Sequence, residues 1–118
     1  MDTKFKFIPR KVQDVLFLDC DGYINQAAGE ALADYCMKEI GTGSRKVVLN
    51  MEKSTVINSV GVSIIIEIIE KLQQVNGQIG YYNLAPIVAK TFKIMGLTDY
   101  STIYQSEQEA LQHLTRPS

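Results

Sequence analysis

The sequence predicts an α/β domain with a central, mostly parallel β-sheet of about five strands and about four helices packed on it. Three observations carry this prediction. The apolar pattern switches repeatedly between short β-branched runs and longer segments of helical period. The resulting order is β-β-α-β-α-β-α-β-α, and strands that alternate with helices must join by crossovers, which makes them parallel. Apolar residues are 46% of the 118, enough to build one core without a metal or disulfide staple.

The first two strands are read at Lys4 to Ile8 and Val12 to Asp19, separated at Pro9-Arg10 and able to pair as a hairpin. Gly22 breaks the pattern, and Asn25 is placed to cap a helix running to about Ile40, with Ala28, Leu32, Tyr35, Cys36 and Ile40 on one face. Gly41-Thr42-Gly43 stops it. Lys46 to Met51 is short, apolar and β-branched at its start, as a buried central strand should be. A helix follows from about Val60 to Gln74, ended by Gly77, and Gln78 to Tyr82 is the next strand. Pro86 suits the first turn of a third helix that ends at Gly96. Ser101 to Tyr104 is a brief strand, after which Ser106 and Glu109 form a capping-box pattern for the last helix.

The second helix has a divided surface. At about 100° per residue, Ser63, Glu67, Glu70, Lys71 and Gln74 form a polar stripe, with Glu67 and Lys71 spaced for an i,i+4 ion pair. Gly61, Ile65, Ile68 and Leu72 lie opposite as the core face, with Val62, Ile69 and Val75 beside them. Val60, Ile64 and Ile66 flank the polar stripe, so either neighbouring loops cover them or they form an exposed apolar rim beside Ser59 on which a partner docks. Ser59 itself stands where the helix begins. Either it or Asn58 is the N-cap, and the unpaired N–H groups there favour an anion such as phosphate.

Composition excludes several classes of function. The net charge is -1 with acids and bases interspersed, so no nucleic-acid partner is expected, and Lys4, Lys6, Arg10 and Lys11 are read as solvated. Cys20 and Cys36 lack disulfide or metal-ligand spacing and are read as buried free thiols of a reducing compartment. No metal site and no cofactor are expected. His113, the only histidine, lies near a helix end, where a surface position is expected, and is distant in sequence from both cysteines. Asp19 and Asp21 are read as solvent-exposed, and Glu107 and Glu109 as first-turn acids that complement the helix dipole. No catalytic residue stands out, and the chain is read as non-enzymatic. Met1 to Phe7 lacks a signal-peptide run, and Val60 to Ile69 is too short and too polar to cross a membrane. A soluble, cytoplasmic protein without direct membrane insertion is the expectation.

Lys46 to Gly61, the apolar helix, Gly77, the strand to Asn83, Leu84-Ala85-Pro86 and the turn Met95-Gly96-Leu97-Thr98-Asp99 together resemble the STAS domain of bacterial anti-sigma-factor antagonists (anti-anti-sigma factors) and of sulfate-transporter cytoplasmic ends. Gly22-Tyr23-Ile24-Asn25 resembles that family's turn into its first helix, and the likeness spans about Lys4 to Leu114 of a single domain occupying 1–118. The resemblance implies helices mainly on one face of the sheet and a protein that acts by binding. It implies a partner-switching regulator of transcription: the unmodified antagonist binds an anti-sigma factor that is also a serine kinase, and phosphorylation of the serine in an Asp-Ser-x-Gly motif ends the association.

Ser59 and Gly61 occupy the serine and glycine of that motif, whereas Asn58 stands where the motif has Asp. Asn50 likewise replaces a commonly acidic residue near the acceptor, which leaves Glu52 as the nearest acid in sequence. The implied phosphorylation site is Ser59, with Ser54, Thr55 and Ser63 as nearby alternative acceptors. The implied partner surface comprises Asn25, Asn58, Ser59, Val60, Gly61, Ser63 and Ile64. A monomer or weak dimer is expected. The alternative reading is a non-catalytic accessory subunit of a membrane transport ATPase complex, in which Ser59 need not be modified.

Overall fold

The computed structural model describes residues 4–116. Among them, β1 (Lys6–Val12), β2 (Val15–Asp21), β3 (Lys46–Lys53), β4 (Gln78–Tyr82) and β5 (Thr102–Ile103) form one sheet in sequential order. β1 pairs antiparallel with β2, and all later neighbours are parallel. The helices are α1 (Gln26–Gly41), α2 (Ser59–Gln74), α3 (Pro86–Ile94) and α4 (Glu107–Leu114). No helix among the described residues is long and apolar enough to cross a membrane.

The hairpin differs from the expected one. β1 runs straight through Pro9, and the turn is Gln13-Asp14, with Gln13 at φ 56° and Val12 paired to Val15. Pro9 is tolerated because β1 is an edge strand, where a missing N–H breaks no ladder.

Strand alternation divides the core. Leu16, Leu18 and Cys20, Val47, Leu49 and Met51, and Ile79 and Tyr81 point to one face, which α1, α2 and α3 cover. Val15, Phe17, Val48 and Tyr82 point to the other face, under Ala110 and Leu114 of α4. Three of the four helices thus share a face. α2 buries Val62, Ile64, Ile65, Ile68, Ile69 and Leu72. At about 1.5–3 kcal/mol each, these side chains anchor α2 by on the order of 10 kcal/mol in gross terms, far more than any single interaction at its end.

Three surface expectations are corrected. Arg10 is clamped rather than solvated: its guanidinium donates to both oxygens of Asp19 at 2.7 and 3.1 Å and to Glu107 Oε1 at 2.8 Å, with Phe17 beneath it. Asp19 and Glu107 therefore tie β1 and β2 to α4, and the Tyr82 hydroxyl donates to Glu107 at 2.8 Å. Among the described residues, no ion pair closes between Glu67 and Lys71. The capping box of α4 is shifted. Ser106 Oγ accepts from Glu109 N as expected, but the Glu109 carboxylate accepts from Gln105 N, one residue earlier than in the usual box.

Candidate functional site

Two loops meet at the C-terminal ends of β2 and β3, where open α/β sheets commonly bind their ligands. Gly22 to Asn25 leads into α1, and Ser54 to Asn58 leads into α2. Their backbones are zipped together. Gly22 N–H donates to Lys53 O at 2.9 Å, Ile24 N–H to Val56 O at 3.0 Å, and Asn58 N–H to Ile24 O at 3.1 Å, around a parallel bridge between Ile24 and Ile57. Ile24 is fully buried, so this junction is part of the core.

Each loop ends in an asparagine cap. Asn25 Oδ1 accepts from Ala28 N at 3.0 Å, and Asn58 Oδ1 accepts from Gly61 N at 2.8 Å. The alternative between Asn58 and Ser59 as cap is thereby resolved. Ser59 is the first residue of α2, and among the described residues its exposed hydroxyl takes no hydrogen bond. Neither α1 nor α2 has an acid in its own first turn, so neither helix dipole is compensated from within that turn.

Two glycines allow this proximity. A Cβ on Gly61 would collide with the Ile24 carbonyl oxygen, and one on Gly29 would fall 2.9 Å from Ile64 Cδ1. The second contact corrects the expected rim. Ile64 is only 7% exposed because α1 covers it, whereas Val60 stays 41% exposed. Tyr23 and Val56 are exposed and join Val60 in an apolar rim near Ser59. Sequence periodicity gives no sign of these two, because both lie in loops and only the Ile24–Ile57 bridge brings them together.

The neighbouring hydroxyls differ in availability. Ser54 is fully buried, with its Oγ unpaired among the described residues. Ser63 is exposed but donates to Val60 O at 2.7 Å, within its own helix. Thr55 is exposed in the loop.

Asn50 is engaged by its neighbours at the end of the sheet. Alternation in β3 turns it to the α4 face, where its amide donates to Asp19 Oδ1 at 3.0 Å and its carbonyl oxygen accepts from Asn83 at 3.1 Å. A carboxylate at 50 would confront Asp19, so the neutral amide suits this neighbour. Hydrogen bonds from Arg10, reinforced by Asn50, hold the Asp19 carboxyl below the usual range against the opposing effect of desolvation. Arg10 does the same to Glu107, with help from the Tyr82 hydroxyl.

Other titratable groups stand apart from this site. Cys20 and Cys36 are buried, and desolvation pushes each thiol up to about 12. His113 is exposed on α4, as expected, but its Nδ1 is hydrogen-bonded to the Tyr104 hydroxyl at 2.6 Å. Among the described residues, no group of three or more His, Cys, Asp or Glu side chains could hold a metal ion.

Comparison with known proteins agrees with this geometry. The family model described as the STAS domain matches residues 6–110. BtrV of Bordetella bronchiseptica, named as a candidate anti-sigma factor antagonist, is 27% identical over 100 residues, covering 85% of this chain and 86% of that protein. A crystal structure of a candidate anti-sigma factor antagonist from Thermotoga maritima superposes with a TM-score of 0.86 at 20% identity, covering 93% of this chain and 95% of that one. The phosphorylated form of SpoIIAA, a Bacillus cell fate determinant, superposes with a TM-score of 0.74 at 21% identity, covering 92% of this chain and 98% of that one.

Proposed function

The chain belongs to the STAS domain family, and from that premise we propose that it is a protein-binding regulator of the anti-sigma-factor-antagonist kind, switched by phosphorylation of Ser59. The observation that carries this reading is the division of labour at the start of α2. Asn58 caps the helix, which leaves the Ser59 hydroxyl exposed and free of hydrogen bonds among the described residues.

In this reading the partner is an anti-sigma factor of the serine-kinase type. It docks across the rim of Tyr23, Val56 and Val60, over Asn25, Asn58 and Ser63. Gly61 and Ile64 act from beneath by holding α2 against the first loop and α1. A phosphoryl group adds about -1.5 to -2 charges. The positive helix end accommodates that charge within the protein, whereas the apolar contact opposite must desolvate it. Modification therefore acts on the interface and not on the fold. Relatives named as antagonists favour this reading over an accessory subunit of a transport ATPase.

The test compares the wild-type chain with Ser59→Ala and Ser59→Asp as baits in lysate of the native host, with phosphosite mapping of the endogenous protein. A kinase-type partner retained by wild type and Ser59→Ala but lost by Ser59→Asp is expected, together with phosphate at Ser59. Equal retention by all three baits, or phosphate confined to Thr55 or Ser63, overturns the assignment.

A further inference from the structure

We propose that α4 is a hinged lid, a helix that leaves the sheet and returns while the rest of the domain stays folded, baring an aromatic face as it opens. Little of α4 is buried, and much of what it covers is aromatic. It buries only Ala110 and Leu114, whereas α2 buries six branched apolar side chains. Beneath it lie Val15, Phe17, Val48, Tyr82 and Tyr104, with the Tyr104 ring laid over Gly80, where no side chain stands in its way. Among the described residues, no other helix contributes to this cluster.

Polar contacts latch α4 at both ends. At its start, Glu107 accepts from Arg10 at 2.8 Å and from the Tyr82 hydroxyl at 2.8 Å. At its end, His113 Nδ1 is hydrogen-bonded to the Tyr104 hydroxyl at 2.6 Å. Lifting the helix strands no charge. Arg10 keeps both oxygens of Asp19, at 2.7 and 3.1 Å, while Glu107, already half-exposed, and the two tyrosine hydroxyls exchange their partners for water. His113 is exposed before the helix moves.

α3 also buries only two side chains, but one is Phe92, packed edge-on against Tyr81, and the chain enters the sheet on both sides of it, at β4 and β5. Among the described residues, α4 joins the sheet only through Gln105 and Ser106, both exposed. Its caps travel with it, because Glu109 N–H donates to Ser106 Oγ and Gln105 N–H to the Glu109 carboxylate. A free helix of eight residues is marginal in water, so α4 unravels once it is off the sheet. Opening is thus a sub-global event that needs no change in α1, α2 or α3. This device does not rest on the Ser59 reading.

Amide hydrogen exchange on the full chain, followed residue by residue by NMR at low urea concentrations, tests the proposal. The amides from Ala110 to Leu114 should exchange about tenfold or more faster than those of β3, and with a weaker dependence on urea. Ile68→Val loosens a core that stays packed when the lid lifts. It should speed exchange in β3 by about two- to tenfold and leave α4 unchanged. Tyr104→Phe removes one latch and should speed exchange in α4 by about two- to tenfold. Equal rates and equal urea dependence in α4 and β3 overturn the proposal, because α4 then opens only with the whole domain. So does an α4 that responds to Ile68→Val as strongly as β3, or one indifferent to Tyr104→Phe. Rates graded along α4 from its C-terminal end overturn it too, by showing fraying and not the opening of a unit.

Discussion

The carbonyl oxygen of Ile24 lies against the Cα of Gly61, and it also accepts the Asn58 N–H at 3.1 Å. One buried peptide group therefore sets the distance between the loop that starts α1 and the first turn of α2. The Ser59 hydroxyl and the apolar rim are placed by that contact.

Gly61→Ala tests the contact directly. Alanine favours a helix by about 1 kcal/mol over glycine, but its Cβ would collide with a backbone oxygen that cannot rotate away. Overpacking should dominate, with a net loss of about 1–3 kcal/mol in urea denaturation. Gly29→Ala should cost less, because its Cβ would fall 2.9 Å from Ile64 Cδ1 and 3.1 Å from Ile64 Cβ, a milder overlap with a side chain and not with a backbone oxygen.

Capping is assigned to Asn58 and not to Ser59. Asn58→Ala should lose about 1 kcal/mol, while Asn58→Asp keeps an acceptor for Gly61 N–H and should be nearly neutral. Ser59→Ala removes a hydroxyl that caps nothing and should stay within about 0.5 kcal/mol of wild type in the same measurement.

Ser59→Asp should fold as well as wild type. A carboxylate in the first turn interacts favourably with the helix dipole by about 0.3–1 kcal/mol, and α2 is held by its buried face. Circular dichroism melting should therefore change little. A drop in melting temperature of about 4 °C or more would show that charge at this position acts on the fold.

Acid should loosen the α4 face first. Asp19 and Glu107 have depressed folded-state pKa values, chiefly through Arg10, so their contribution is present above the unfolded carboxyl pKa of about 4. It is lost as the pH falls through the lower folded values. Arg10→Gln should flatten the stability–pH profile below about pH 4, and should remove about 1 kcal/mol at neutral pH, because these partly exposed pairs are screened by solvent.

The thiols should be silent in the native state. With both cysteines buried and their pKa values pushed up to about 12, a disulfide exchange reagent at pH 8 should react only as fast as the protein opens. Prompt reaction of either thiol in the folded protein would contradict this packing.

Local chemistry was enough to read the helices and the inner strands from the sequence, but not the first hairpin, whose turn lies at Gln13-Asp14 and not at Pro9-Arg10. Asn25 and Ser106 are short side chains that reach the first free N–H groups of a helix, and the apolar spacing of α2 marks its core face from Gly61 to Leu72. The Ser59-Val60-Gly61 turn was legible for the same reason. Partners distant in sequence were not. Whether Ile64 is rim or core depends on how closely α1 approaches at Gly29, and the side to which Asn50 turns depends on strand register. The Arg10 clamp spans 97 residues to Glu107, and Tyr23 reaches the rim only through a bridge between two loops. Short-range patterning specifies which face of an element is apolar; only the packed chain decides what covers that face and what is left for a partner.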